Sequence, residues 1–195
     1  MPTIRRSTAL PLAVAIVAVL GFGTIAAMTM MPKSHSGGSG VGGPFTLTSQ
    51  DGKTVTQAAL DGRPTLVFFG YTHCPDTCPT TLASISSVFK ALGKDIKPQA
   101  LFITVDPERD TPVVMKDYLQ SFDPRIVGLT GTPAQIKKVE GDYKVYAKAI
   151  PDKDGNYSMD HTAITYLMDK NGNFAGGFNL NQPAAAAAAE LKRYE

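Results

Sequence analysis

Residues 64–79 read Pro64-Thr-Leu-Val-Phe-Phe-Gly-Tyr-Thr-His-Cys-Pro-Asp-Thr-Cys-Pro79. Pro64–Gly70 is a continuous apolar run, the pattern of a strand buried on both faces. From Pro79 to Leu92 the apolar residues Leu82, Ile85, Val88 or Phe89 and Leu92 recur at helical spacing. The stretch therefore predicts strand, loop, helix. Both cysteines of the chain, Cys74 and Cys78, fall in the connection, four residues apart.

The same alternation continues outward. Phe45–Ser49 and Thr54–Thr56 flank Gln50-Asp51-Gly52-Lys53, a hairpin signal. Ala100–Val105 predicts a second buried strand. Thr111-Pro112 reads as an N-cap followed by a first-turn proline, opening a helix with Val114, Tyr118, Leu119 and Phe122. Ile126–Leu129 is a short strand, and Thr132-Pro133 repeats the cap signal ahead of Ile136 and Val139. Tyr143–Ala149 is expected as a strand. Ala163–Met168 and Phe174–Phe178 flank Asp169-Lys170-Asn171-Gly172-Asn173 as a second hairpin, and Ala-rich Pro183–Tyr194 closes the chain as a helix. Strands alternating with helices predict an α/β fold with both sheet faces covered, and ligand sites beyond the C-terminal strand ends.

Composition narrows the function. The chain has 195 residues, 43% of them apolar, enough for one ordinary domain. The net charge of +2 is local: Arg5, Arg6 and Lys33 are cations, and residues 1–50 hold no acid, leaving 16 cations against 17 acids elsewhere. A near-neutral body carries no electrostatic footprint for nucleic acid. Two cysteines are too few for a disulfide scaffold. No GxGxxG, GxxxxGK[ST], GxSxG or HExxH motif occurs, so nucleotide, lipase-like and zincin chemistry have no motif support.

The N-terminus is a separate object. From Ser7 to Pro32 no side chain is charged, and Arg5 and Arg6 precede the run. Its length exceeds a signal-peptide core and suits a bilayer-spanning helix. Residues 1–32 are expected to be a cytoplasmic N-terminus and single-pass anchor in the cytoplasmic (inner) membrane, with the body outside, in the periplasm. The Ser-Thr-Ala after the arginine pair matches the twin-arginine export signal poorly. Residues 33–44, rich in Gly and Ser, read as a flexible linker, and 45–195 as the folded domain. Met28, Met30, Met31 and His35 cluster near the linker; interfacial packing and a solvated histidine account for them better than metal binding does.

Three readings compete for the cysteine pair. A structural disulfide is common outside the cytoplasm, but a four-residue loop stabilises little. A redox dithiol uses Cys74 and Cys78 as catalytic sulfurs, with Cys78 at the helix start where the dipole favours a thiolate. A metal site uses them as soft ligands, which select Cu(I), Zn or clusters, and needs a third donor. The candidate is His161, in Met159-Asp160-His161-Thr162 just before a buried strand. His35 lies in the linker, and His73 adjoins Cys74. Asp160 is a candidate outer-shell partner, and Met159 offers a weak thioether or plain packing. Asp106 and Asp110 flank Arg109, which predicts a salt-bridged loop on the same sheet edge, shaping a partner surface or simply capping the next helix.

Gly-Tyr-Thr-His-Cys-Pro-Asp-Thr-Cys-Pro (70–79), Val-Asp-Pro-Glu-Arg-Asp-Thr-Pro (105–112), Val-Gly-Leu-Thr-Gly (127–131) and Asp-His-Thr (160–162) together resemble the SCO/SenC family, which assembles the copper centre of respiratory cytochrome oxidase. The resemblance runs from about Phe45 to the C-terminus and includes the N-terminal anchor. It implies a thioredoxin-like fold, here with an added N-terminal hairpin and a preceding transmembrane helix. It also implies an extracytoplasmic location and a copper ion on Cys74, Cys78 and His161. The three-residue spacer, where ordinary thioredoxin-type enzymes have two, and Asp160-His161 where they carry a cis-proline both favour metal binding over general dithiol catalysis. The expected function is a metallochaperone rather than an enzyme, holding Cu(I), with the His nitrogen also admitting Cu(II). Its expected partners are the copper-accepting subunit of cytochrome c oxidase, an upstream copper donor and a thioredoxin-like reductant, with the membrane as support and no nucleic acid. A thiol–disulfide oxidoreductase that reduces the acceptor's copper-ligand cysteines is the alternative.

Overall fold

The central strands form because their residues are apolar on both sides. In the computed structural model, which describes residues 40–93 and 96–195, β3 (Thr65–Gly70) and β4 (Gln99–Thr104) are buried at every position. Full burial of side chains such as Leu66, Phe68 and Phe102 contributes roughly 1.5–3 kcal/mol each. Around them, β1 (Thr46–Ser49), β2 (Thr54–Thr56), β5 (Ile126–Thr130), β8 (Thr165–Met168) and β9 (Phe174–Gly177) complete a seven-stranded sheet ordered β2-β1-β5-β4-β3-β8-β9. The β3, β4 and β5 strands are parallel; β1 joins β5, and β8 joins β3, antiparallel. The fold is α/β and thioredoxin-like, with the β1–β2 hairpin added at one edge.

Register sorts the two faces. Phe68, Phe102 and Gly128 lie side by side across β3, β4 and β5. The helices α1 (Thr77–Leu92) and α2 (Pro112–Leu119) cover this face, and α4 (Ala184–Lys192) packs on α1. Gly128 is required there: a Cβ would lie 2.6 Å from Leu119 Cδ1 and 2.9 Å from Met115 Cε of α2. On the other face, Phe69 meets Tyr143 of α3 (Pro133–Tyr143), ring centroids 5.4 Å apart, and Tyr143 meets Tyr166 at 5.7 Å.

Several elements depart from expectation. Tyr143 ends α3 instead of opening a strand, because Ile136, Val139 and Tyr143 continue one buried helical stripe. The strand β6 (Ala147–Pro151) starts later and pairs with β7 (Tyr157–His161), a hairpin absent from the sequence reading. Its signal is the alternation in Tyr-Ser-Met-Asp-His, half-buried at Tyr157, Met159 and His161 and exposed between. On α2 the buried residues are Met115 and Leu119, while Val114 is exposed. The body starts before Phe45: Val41 packs on the core, and Gly42 N–H donates to the Asp142 carbonyl at 2.9 Å. The expected anchor (1–32), Met28, Met30, Met31 and His35 lie outside the described residues. Among those described, no helix is long and apolar enough to cross a membrane.

Both proline-led caps form. Thr111 Oγ1 accepts from Val114 N–H at 3.4 Å. Thr132 and Gln135 make a capping box, with Thr132 Oγ1 accepting from Gln135 N–H at 3.3 Å and Gln135 Oε1 from Thr132 N–H at 2.8 Å. Thr132→Ala should cost about 1 kcal/mol, read as a lower urea midpoint at unchanged slope.

Candidate metal centre

Strand β3 ends at Gly70, where a sulfur from the following helix packs onto the sheet. A Cβ on Gly70 would lie 2.7 Å from Cys78 Sγ. The loop Tyr71–Asp76 then carries Cys74, and α1 starts at Thr77, placing Cys78 in its first turn. Cys78 is fully buried; Cys74 is half-buried; both are free thiols. Cys78 N–H donates to Cys74 Sγ at 3.4 Å. Tyr71 braces both: its carbonyl accepts from Cys74 N–H at 3.3 Å, and its own backbone N–H meets the Cys78 sulfur.

The loop after β4 locks this arrangement. Asp110 is fully buried and takes three donors: Thr72 Oγ1 at 2.6 Å, Thr104 Oγ1 at 2.6 Å and Thr72 N–H at 3.1 Å. Asp106, four residues earlier, accepts from Tyr157 Oη at 2.8 Å and pairs with Arg109. The Arg109 guanidinium stacks 3.6 Å from the Tyr157 ring centroid, and its Nη1 donates to the Tyr157 carbonyl at 2.9 Å. One five-residue loop thus holds the cysteine loop through Asp110 and strand β7 through Asp106 and Arg109. The expected salt bridge is present between Arg109 and Asp106, and it holds the β7 half of the site.

Strand β7 ends at His161, and its ring faces the Cys78 sulfur. Nε2 lies 3.9 Å from Cys78 Sγ. Nδ1 lies 3.1 Å from the Thr162 carbonyl oxygen. A carbonyl only accepts, so Nδ1 is the donor in this contact, and in the neutral ring Nε2, the nitrogen turned to Cys78, is the one left to bind an ion. Tyr71 packs edge-on against the ring, centroids 5.8 Å apart. The orienting group is therefore Thr162's carbonyl, not Asp160, which points to the exposed face of β7. His73 is exposed, its Nδ1 3.1 Å from Thr72 Oγ1.

Electrostatics favours the thiol at Cys78. Burial pushes its pKa up; the Tyr71 N–H pulls it down, and Cys74 and Asp110 add to the rise. Burial outweighs the helix-dipole effect expected from sequence. Among the described residues, no three His, Cys, Asp or Glu side chains gather closely enough to hold a metal ion together. The structure brings Cys78 and His161 face to face, with the Cys74 sulfur turned to Cys78 N–H. A cleft of about 320 Å³ opens over the site, with Tyr71, Cys74, Asp76, Met159 and His161 in its wall.

Comparison with known proteins is consistent across sequence and structure. The family model described as SCO1/SenC matches residues 33–195. The chain is 43% identical over 146 residues to an SCO2-like protein of Rickettsia felis, covering 72% of this chain and 70% of that protein. It is 39% identical over 163 residues to the mitochondrial SCO1 homolog of Homo sapiens, covering 80% of this chain and 54% of that protein. Its fold matches Bradyrhizobium japonicum ScoI with copper bound, at 60% identity and a TM-score of 0.77, covering 80% of this chain and 99% of that one. Yeast Sco1 with copper bound matches at 35% identity and a TM-score of 0.73, covering 79% and 87%.

Asp110→Ala strips the threonine donors of their shared acceptor in a buried position. It should cost about 2 kcal/mol of stability, measured by chemical denaturation of the reduced protein.

Proposed function

The chain belongs to the SCO1/SenC family, and from that premise we propose that it is a copper metallochaperone. It takes Cu(I) on Cys74, Cys78 and His161 and delivers it to the copper centre of cytochrome c oxidase. The observation that carries this is the opposition of Cys78 Sγ and His161 Nε2 at 3.9 Å, with a second cysteine four residues earlier whose sulfur accepts from Cys78 N–H. Two soft thiolates select Cu(I), and the imidazole also suits Cu(II). For all three donors to meet one ion, the Cys74 sulfur, which accepts from Cys78 N–H at 3.4 Å, must come within bonding reach of an ion held between Cys78 and His161. A low-coordinate ion then accepts an incoming ligand from the acceptor subunit, and transfer proceeds by ligand exchange with no free ion.

The surrounding organisation belongs to the same proposal. Residues 1–32 anchor the chain in the inner membrane, the segment from 33 forms a tether, and the thioredoxin-like body works on the periplasmic side. An upstream donor supplies copper, and a thioredoxin-like reductant keeps both cysteines as thiols, because their disulfide has no thiolate to offer.

A second reading is favoured by one feature. Cys74 is half-exposed and Cys78 buried behind it, the arrangement of an attacking and a resolving thiol. On that reading the pair reduces the acceptor's copper-ligand cysteines, and His161 is dispensable.

Competitive titration with Cu(I) separates the two. The reduced protein should bind one tight equivalent. His161→Ala should weaken it by at least about tenfold, or 1.4 kcal/mol, and the oxidised protein should not bind. Copper affinity indifferent to His161, with retained reduction of a disulfide substrate, would instead carry the second reading.

Affinity should also depend on pH. The folded environment raises the Cys78 pKa, so the thiol is protonated at neutral pH and copper must displace that proton. Affinity therefore rises with pH, by about tenfold per unit from Cys78 alone. Titrations at pH 6, 7 and 8 check the slope.

A further inference from the structure

Two clefts meet along β7. One is the copper cleft of Cys74 and His161. The other, of about 300 Å³, lies between β7, α3 and the loop after β4, with Val105, Ile136, Glu140 and Ala149 in its wall. Met159 lines both. It lies on the face of β7 that carries Tyr157 and His161, two residues or about 6.8 Å along the strand from His161. Across the hairpin, the partners of Met159 and His161 are Ala149 and Ala147, whose small side chains leave that face open. The Met159 backbone is fixed, since its N–H bonds the Tyr71 hydroxyl, and the Tyr71 ring braces His161.

The wall of the copper cleft holds Cys74, His161 and Met159, while Cys78 is fully buried behind them. An ion entering this cleft meets these three residues before it reaches Cys78. A thioether is a soft ligand, carries no proton and forms no disulfide. It offers the sulfur of a copper ligand whatever the redox state of the cysteine pair.

We propose that Met159 is a copper ligand of the loading path: Cu(I) is first held by the Met159 thioether with Cys74 and His161, then passes to Cys78. This rests on the copper assignment made above. On first binding, Cys74 gives its thiol proton to the buffer. On transfer, the bond from copper to the Met159 sulfur breaks as the bond to the Cys78 sulfur forms, and the Cys78 proton leaves to the buffer. Copper stays Cu(I) throughout, and no electron moves.

The test uses the full-length reduced chain labelled with selenomethionine, with Cu(I) supplied on a chromophoric chelator. Met159→Leu should take up Cu(I) about tenfold more slowly than wild type, at an equilibrium affinity within about threefold. In Cys78→Ala, which halts the ion before transfer, selenium-edge absorption should show a selenium–copper contact that disappears when Met159→Leu is added. An uptake rate unchanged in Met159→Leu, with tight wild-type binding, overturns the role of Met159 alone. Failure of the wild type to bind Cu(I) tightly overturns the copper assignment and this inference with it. Should Cys78→Ala not fold, the uptake rate of the single Met159→Leu variant decides.

Discussion

The Asp110 carboxylate, fully buried and taking hydrogen bonds from Thr72 and Thr104, is the constraint on which the site depends. It joins the ends of two parallel neighbours, β3 and β4, at the point where the sheet stops and the loops take over. Burial raises the pKa of Asp110, and the threonine donors oppose that rise. Without its donors such a group would be expensive to keep dry. With them it gives the cysteine loop one conformation. Asp106 and Arg109 do the same for β7 from the other end of the same short loop, through Tyr157. Cys78 and His161, more than eighty residues apart in sequence, therefore meet through a scaffold of polar contacts at one sheet edge.

The two cysteines occupy different environments despite being neighbours. Cys78 is packed where a Cβ on Gly70 would collide with it, and its thiol is held protonated by burial. Cys74 is half-buried and lines the cleft. A pair built this way has an outer donor available to an arriving ion or disulfide and an inner donor that completes the reaction. Both proposed chemistries use that asymmetry; His161 belongs to only one of them. Its ring is held by three separate features: the Thr162 carbonyl, the Tyr71 edge and the strand β7 itself. Preorganisation of an imidazole to this degree is what a ligand requires and what a dithiol does not.

Much of the fold is legible in the sequence. The β3 and β4 strands announce themselves as unbroken apolar runs, and Thr111-Pro112 and Thr132-Pro133 announce helix starts that form within a residue of where they read. Asp51-Gly52 and Asn171-Gly172 mark turns that close real hairpins. Where the reading failed, local signals conflicted. Tyr143 has strand propensity, but its ring completes the buried stripe of Ile136 and Val139, and tertiary packing decided for helix. The alternation in Tyr157–His161 was present but short and polar, and became a strand through pairing with β6. The Asp106–Asp110 loop reads as charged, yet its two anchoring roles depend on Thr72, Thr104 and Tyr157, none of which its own sequence points to.

The amino-acid sequence by itself determined the alternating α/β architecture, the placement of both cysteines between a buried strand and a helix, and the identity of His161 as the third candidate donor. These follow from periodicity, capping and residue chemistry, which act over a few neighbouring positions. Only the tertiary structure decided that Cys78 is buried and held as a thiol, that Thr162 rather than Asp160 orients the histidine, and that Met159 stands between two clefts. Those outcomes depend on which side chains from distant segments share one small volume. Burial, field and hydrogen-bond geometry are properties of that shared volume, and no single stretch of the chain contains them.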